Sequence, residues 1–131
     1  MQEMLKSPYV DVRMTLADML RSRKQSAVRD ELAKDLCADD EIRVRNIALR
    51  MLSTIRPEGW VDLLMLALQE EENRELRDAA AIALCSAPKD AKVLEVLKAY
   101  LPDASPIVAR RIEIYVRLYD NAMKRGGKPA K

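Results

Sequence analysis

A period of 32 residues is the feature that most constrains this chain. Val12, Val44, Leu76 and Val108 stand 32 apart, and each opens the same apolar pattern. Val12 is followed by Leu16, Met19 and Leu20; Val44 by Ala48, Met51 and Leu52; Leu76 by Ala80, Ala83 and Leu84; Val108 by Ile112, Tyr115 and Val116. Apolar residues at i, i+4, i+7 and i+8 form one stripe of an α-helix. A second series, Leu32, Leu64 and Val96 with Leu36, Leu68 and Tyr100, keeps the same spacing and marks another helix in each repeat. A lone helical pair cannot bury such a stripe, whereas stacked pairs bury a continuous core.

The pattern predicts seven helices, at about 8–23, 27–37, 40–54, 58–70, 74–87, 91–101 and 106–124. Ser7–Pro8 and Ser105–Pro106 read as N-caps followed by proline in the first turn, and Asp39 or Asp40, Asn73 and Asp90 as further caps. Pro57, Pro88 and Pro102 interrupt the connections. The chain opens on the second helix of a repeat, because residues 1–6 are too short to supply its partner. The expected organisation is one repeat domain over residues 1–124 and a disordered basic tail over 125–131.

Composition supports an all-helical reading. The aromatic share is 4% with no Phe, so Leu, Val, Ile, Met and Ala must build the core, and three glycines leave little room for hairpins or phosphate-cradling loops. The apolar share of 49% is too high for a disordered chain. A net charge of +2, from 23 basic and 21 acidic residues, is not the one-signed surface of a dedicated nucleic-acid binder. The opening MQEMLKSPYV has no signal-like apolar run, and an apolar run such as Leu63–Leu68 is far short of a membrane span. Cys37 and Cys85, without Cys-x-x-Cys spacing, read as reduced thiols in a cytoplasmic protein.

The repeat unit, Val/Leu-Arg-x-x-Ala-x-x-Ala-Leu after a polar residue, resembles the HEAT-like repeat, most of all the short bacterial variety first known in phycobilisome lyases. The best matches are Leu76-Arg77-Asp78-Ala79-Ala80-Ala81-Ile82-Ala83-Leu84 and Val44-Arg45 through Leu52. The first repeat departs with Leu16, and the fourth with Ala109, Ile112 and Tyr115. The resemblance implies a right-handed α-α superhelix, an armadillo-like solenoid of about seven helices in four repeats, with the second helix of each repeat on the concave face. It implies no particular function, since such repeats serve many systems.

Two features follow from the spacing. Small residues such as Ala48, Ala80 and Ala83 let neighbouring helices approach closely. Arg13, Arg45 and Arg77 sit one residue after the leading apolar position, and Ser7, Asp39, Glu71 and Asp103 sit five before it. Asp39, Glu71 and Asp103 with these arginines predict a ladder across the turns, bidentate where geometry allows. Ala109 breaks the series in the fourth repeat.

Chemistry has little to work with. There is no histidine, which removes the commonest general base and zinc ligand. The acidic runs Asp39-Asp40-Glu41 and Glu70-Glu71-Glu72 precede helices, where acids favour the positive helix end. No activating neighbour can be assigned to either cysteine, and Trp60 reads as a packing anchor at a helix start. The expectation is no enzyme, no catalytic residue, no metal and no cofactor.

A partner is expected on the concave face, the side of each second helix opposite the stripe. Helical phase places positions +2, +6 and +9 there, flanked by −1. They are Met14, Asp18, Arg21 and Asp11 in the first repeat, and Asn46, Arg50, Ser53 and Arg43 in the second. In the third they are Asp78, Ile82, Cys85 and Glu75, and in the fourth Arg110, Ile114, Arg117 and Ile107. Ile82, Ile114 and Ile107 form an apolar strip rimmed by Arg110 and Arg117, suited to a protein segment; the same isoleucines are equally suited to packing between helices. The candidate partner-binding set is Ile82, Ile114, Ile107, Arg110, Arg117, Arg50 and Met14, serving a protein-binding adaptor or scaffold. The rival is nucleic-acid binding through Arg43, Arg50, Arg110 and Arg117, against which Asp18, Glu75 and Asp78 interleave. Self-association through an open solenoid end is a further reading, and no membrane partner is expected.

Overall fold

The computed structural model describes residues 2–126, so residues 127–131, most of the tail expected to be disordered, lie outside the described residues. The described residues form eight α-helices and a 3-10 turn, with no strand among them. The helices are α1 (Gln2–Leu5), α2 (Val10–Arg21), α3 (Ala27–Leu36), α4 (Ile42–Ile55), α5 (Trp60–Glu70), α6 (Arg74–Leu84), α7 (Ala91–Tyr100) and α8 (Pro106–Lys124); the 3-10 turn is Leu101–Asp103. The seven predicted helices are present within a few residues at each end. The eighth, α1, corrects the expectation for residues 1–6: this single turn packs on α2 and α3, and its Met4 and Leu5 join the core.

Local chemistry sets the helix ends. Asn73 caps α6 by accepting the Leu76 N–H at 3.2 Å, and Asp90 caps α7 by accepting the Lys92 N–H at 3.0 Å. Ser26 does the same for α3, accepting the Arg29 N–H at 3.1 Å. Pro106 occupies the first turn of α8, although the Ser105 hydroxyl makes no capping bond. Two expected caps are displaced. Helix α2 begins at Val10 rather than Pro8, with Tyr9 at its cap, and the Ser7 carbonyl accepts from Arg13 Nη1 at 2.7 Å. Glu41 rather than Asp39 or Asp40 stands at the cap of α4, while Asp39 accepts the Glu41 N–H at 2.9 Å. At the end of α4, Arg56 adopts a left-handed conformation (φ 45°) and closes the helix by donating its N–H to Leu52 O at 2.9 Å.

The chain divides into two compact units, Met1–Trp60 and Val61–Lys131. In the N-terminal unit α2 lies along α4, and α3 packs on both. Its core joins Leu16, Ala17 and Leu20 of α2, Leu32, Ala33 and Leu36 of α3, and Val44, Ala48, Met51 and Ile55 of α4. In the C-terminal unit α8 packs on α6 and α7, which also touch each other. Here Leu76, Ala80 and Leu84 of α6, Val93 and Leu97 of α7, and Val108, Ile112 and Tyr115 of α8 are buried. Helix α6 explains its own composition: Ala79, Ala80, Ala81 and Ala83 are all buried, on more than one side of the helix. Larger side chains there would force the neighbouring helices apart.

Candidate functional site

The ladder arginines share one anchor. Arg13 Nη1 donates to Ser7 O at 2.7 Å, Arg45 Nη1 to Asp39 O at 2.8 Å and Arg77 Nη1 to Glu71 O at 3.3 Å. Each bond spans six residues and fastens the helix to the turn before it. The first rung then closes as expected, with Arg13 Nε on Asp39 Oδ2 at 2.8 Å and Nη2 on Asp39 Oδ1 at 3.2 Å. Both side chains are nearly buried, and Asp40 adds a second carboxylate at 3.2 Å. Burial alone pushes the Asp39 carboxyl up, but the bonds from Arg13 and the Glu41 N–H, with the charge of Arg13, outweigh it and hold the group below its ordinary value.

The rung expected between Arg77 and Asp103 is absent among the described residues. The Arg77 guanidinium lies 6.0 Å from the centre of the Tyr100 ring, and its Nε is buried with no hydrogen-bond partner. Tyr100, standing where the earlier repeats have Leu36 and Leu68, donates its hydroxyl to Asp78 Oδ1. Burial, reinforced by Asp78, pushes that phenol up to about 12. An aromatic ring under the guanidinium replaces the carboxylate as its neighbour. Arg77, Tyr100 and Asp103 line one cleft of about 240 Å³ with Leu68, Gln69 and Val96.

The outer face follows the same register. Positions −1 and +6 of the second helices are exposed throughout, apart from half-buried Ile114. They are Asp11 and Asp18 on α2, Arg43 and Arg50 on α4, Glu75 and Ile82 on α6, and Ile107 and Ile114 on α8. Ile82 is 38% exposed and Ile107 75%. Arg110 and Arg117 are exposed beside them. Position +2 is a correction. Met14 is half-buried and packs against the N-terminal core. The equivalent Asp78 is also half-buried and accepts from the Tyr100 hydroxyl of the following helix, whereas Arg110 at the same position of α8 is exposed. Cys85, at +9, is also half-buried rather than outward. Burial pushes the Cys37 thiol up to about 12 and the Cys85 thiol up to about 11, the latter against the opposing charges of Arg111 and Lys89. Neither is an activated nucleophile.

Arg50 is exposed, but its Nε donates to Asn46 Oδ1 at 3.0 Å, and Arg43 Nε donates to Glu41 at 3.1 Å. Trp60 is half-buried under the Arg56 guanidinium, 4.8 Å from the ring centre. Sequence reasoning missed Arg29, which is buried and fully engaged. It donates to Asp30 Oδ1, to Arg23 O at 3.1 Å and to Ile55 O at 3.2 Å, tying the start of α3 to the end of α4. The signal was present: Arg29 shares a stripe with Leu32 and Leu36, and Val61 and Val93 stand at its equivalents.

No three cysteine, aspartate or glutamate side chains among the described residues gather as a metal-holding group. No described helix is long and apolar enough to cross a membrane.

Helical pairs at a fixed period, joined by a recurring arginine anchor, define a helical repeat protein. The HEAT-repeat family model matches residues 1–85 and again residues 30–116. The chain belongs to the HEAT-repeat family. Its members commonly serve as protein-interaction scaffolds and are typically non-catalytic. The narrower likeness to the phycobilisome-lyase type stays a resemblance. No curated protein and no solved structure matches the chain.

Proposed function

We propose that this chain is a non-catalytic adaptor that binds another protein through the outer side of α6 and α8. The observation that carries the proposal is the exposure of Ile82 and Ile107 at positions that hold charged residues in the first two repeats. Water-facing isoleucines beside Arg110 and Arg117 suit an apolar contact with a polar rim. The nucleic-acid reading has less support, because two of its four arginines are engaged by Glu41 and Asn46. Met14 falls out of the site, and Arg50 lies outside the α6–α8 surface.

Affinity capture from nuclease-treated lysate tests this, with wild type against Ile82→Glu/Ile107→Glu after circular dichroism confirms both are helical. A protein retained by the wild type and lost from the variant is the expected result. Equal retention places the site elsewhere. Nucleic acid retained from untreated lysate, with no protein, replaces this reading with the rival.

A further inference from the structure

Helix α8 carries two apolar stripes, one buried in the core and one largely exposed, with its Ile114 half-buried. Val108, Ile112 and Tyr115 are buried. Ile107, Ile114 and Leu118 fall on a second stripe, spread over about 40° at 100° per residue. Of these, Ile107 is 75% and Leu118 47% exposed. Beside this stripe runs a basic row, Arg110, Arg117 and Lys124, spaced seven residues apart and all exposed. Among the described residues no ion pair engages any of the three. Uncommitted cations in register with an apolar stripe make a template for a second helix.

Resting on the docking surface proposed above, we infer that its partner presents an amphipathic helix with one acidic row, laid along α8 so that its apolar side covers Ile107, Ile114 and Leu118. Charge complementarity selects this occupant. Glu113 and Asp120 form the next row beyond the basic one. A flat polyanionic surface, whether phosphate backbone or anionic lipid, would meet those carboxylates as well as the cations. A helix with a single acidic row meets the cations alone. A second copy stacked end to end is disfavoured by the ladder: Ala109 stands where Arg13, Arg45 and Arg77 stand, and Ser7 where Asp39, Glu71 and Asp103 stand. Neither half of a rung is present at such a junction.

The probe is a fluorescent 21-residue peptide with leucine at heptad positions a and d, glutamate at g and glutamine at e, read by anisotropy against a counterpart with lysine at g. The glutamate peptide binds the wild type, binds more weakly as salt rises, and loses roughly tenfold in affinity to Arg110→Glu/Arg117→Glu. Those arginines are exposed, so the variant keeps its fold, which circular dichroism checks. Equal binding of the lysine peptide, or indifference to the charge reversal, overturns the inference. So does failure of the glutamate peptide to bind, including the case in which phosphatidylserine vesicles bind instead. If the peptide fails while capture still depends on Ile82 and Ile107, the docking surface stands and this partner chemistry falls. If capture fails as well, both fall.

Discussion

The two compact units are cut from one repeat and finish it differently. In the N-terminal unit the polar side chains close on each other. Arg13 holds Asp39 through two nitrogens, and buried Arg29 reaches two backbone carbonyls and Asp30. The outer positions there are charged: Asp11, Asp18, Arg43 and Arg50. In the C-terminal unit the corresponding arginine, Arg77, has a buried Nε without a partner, and the outer positions turn apolar at Ile82, Ile107 and Ile114. The period dictates how helices pack. It leaves the outer positions free to vary, and there the two units part company.

Several substitutions break or sharpen this contrast. The largest effects are common to both units. Leu20→Ala and Leu84→Ala each remove a fully buried side chain and are expected to cost about 3 kcal/mol in urea unfolding. A loss below about 1 kcal/mol at Leu84 would deny the C-terminal unit a packed core. Next comes the ladder, where the units separate. Asp39→Ala takes two bonds from the nearly buried Arg13 guanidinium, leaving it Ser7 O and exposed Asp40, and is expected to cost about 2 kcal/mol, whereas Asp103→Ala costs less than about 0.5. Equal costs would mean that both rungs are closed.

The ladder also predicts a pH dependence. The folded Asp39 carboxyl takes up a proton less readily than the unfolded one. Its stabilisation is therefore present above the ordinary carboxylate value, about 4, and is lost as pH falls through the lower folded value. The stability gap between wild type and Asp39→Asn should be full at neutral pH and shrink in acid; a gap that widens in acid would reverse the sign.

A smaller effect probes the bonds between α8 and the segment before α7. The Tyr115 hydroxyl accepts the Asp90 N–H at 3.1 Å and donates to Pro88 O at 3.3 Å. Tyr115→Phe should cost about 1 kcal/mol. Smallest of all for stability, Ile82→Glu should stay within about 0.5 kcal/mol of wild type, since the side chain is partly in water. A much larger loss would make Ile82 a core residue and remove it from the docking surface.

The fold was legible because its signal is redundant: four copies of one stripe fix the helices even where a single copy is weak. The ladder was legible to the residue in its first rung. Its third rung was not, because the outcome turned on Tyr100 replacing Leu36 and Leu68, a change in ring chemistry that spacing does not report. Helix α1 escaped because four residues carry no period, and Met14 because phase alone did not show that this side chain packs against the N-terminal core. Arg29 went unread, although its place on the Leu32–Leu36 stripe marked it as buried. On the outer face, spacing singled out Ile82 and Ile107, but their exposure could only come from the packed structure.

The central claim is that the outer face of the C-terminal unit, and not that of the N-terminal unit, meets the partner. Photo-crosslinking tests it most directly, with a photoreactive amino acid placed singly at position 82 or 107 and, for comparison, at position 43 or 50. Crosslinks to one protein from 82 and 107, and none from 43 and 50, are the predicted result. Crosslinks from 43 and 50 with none from 82 and 107 would contradict the account.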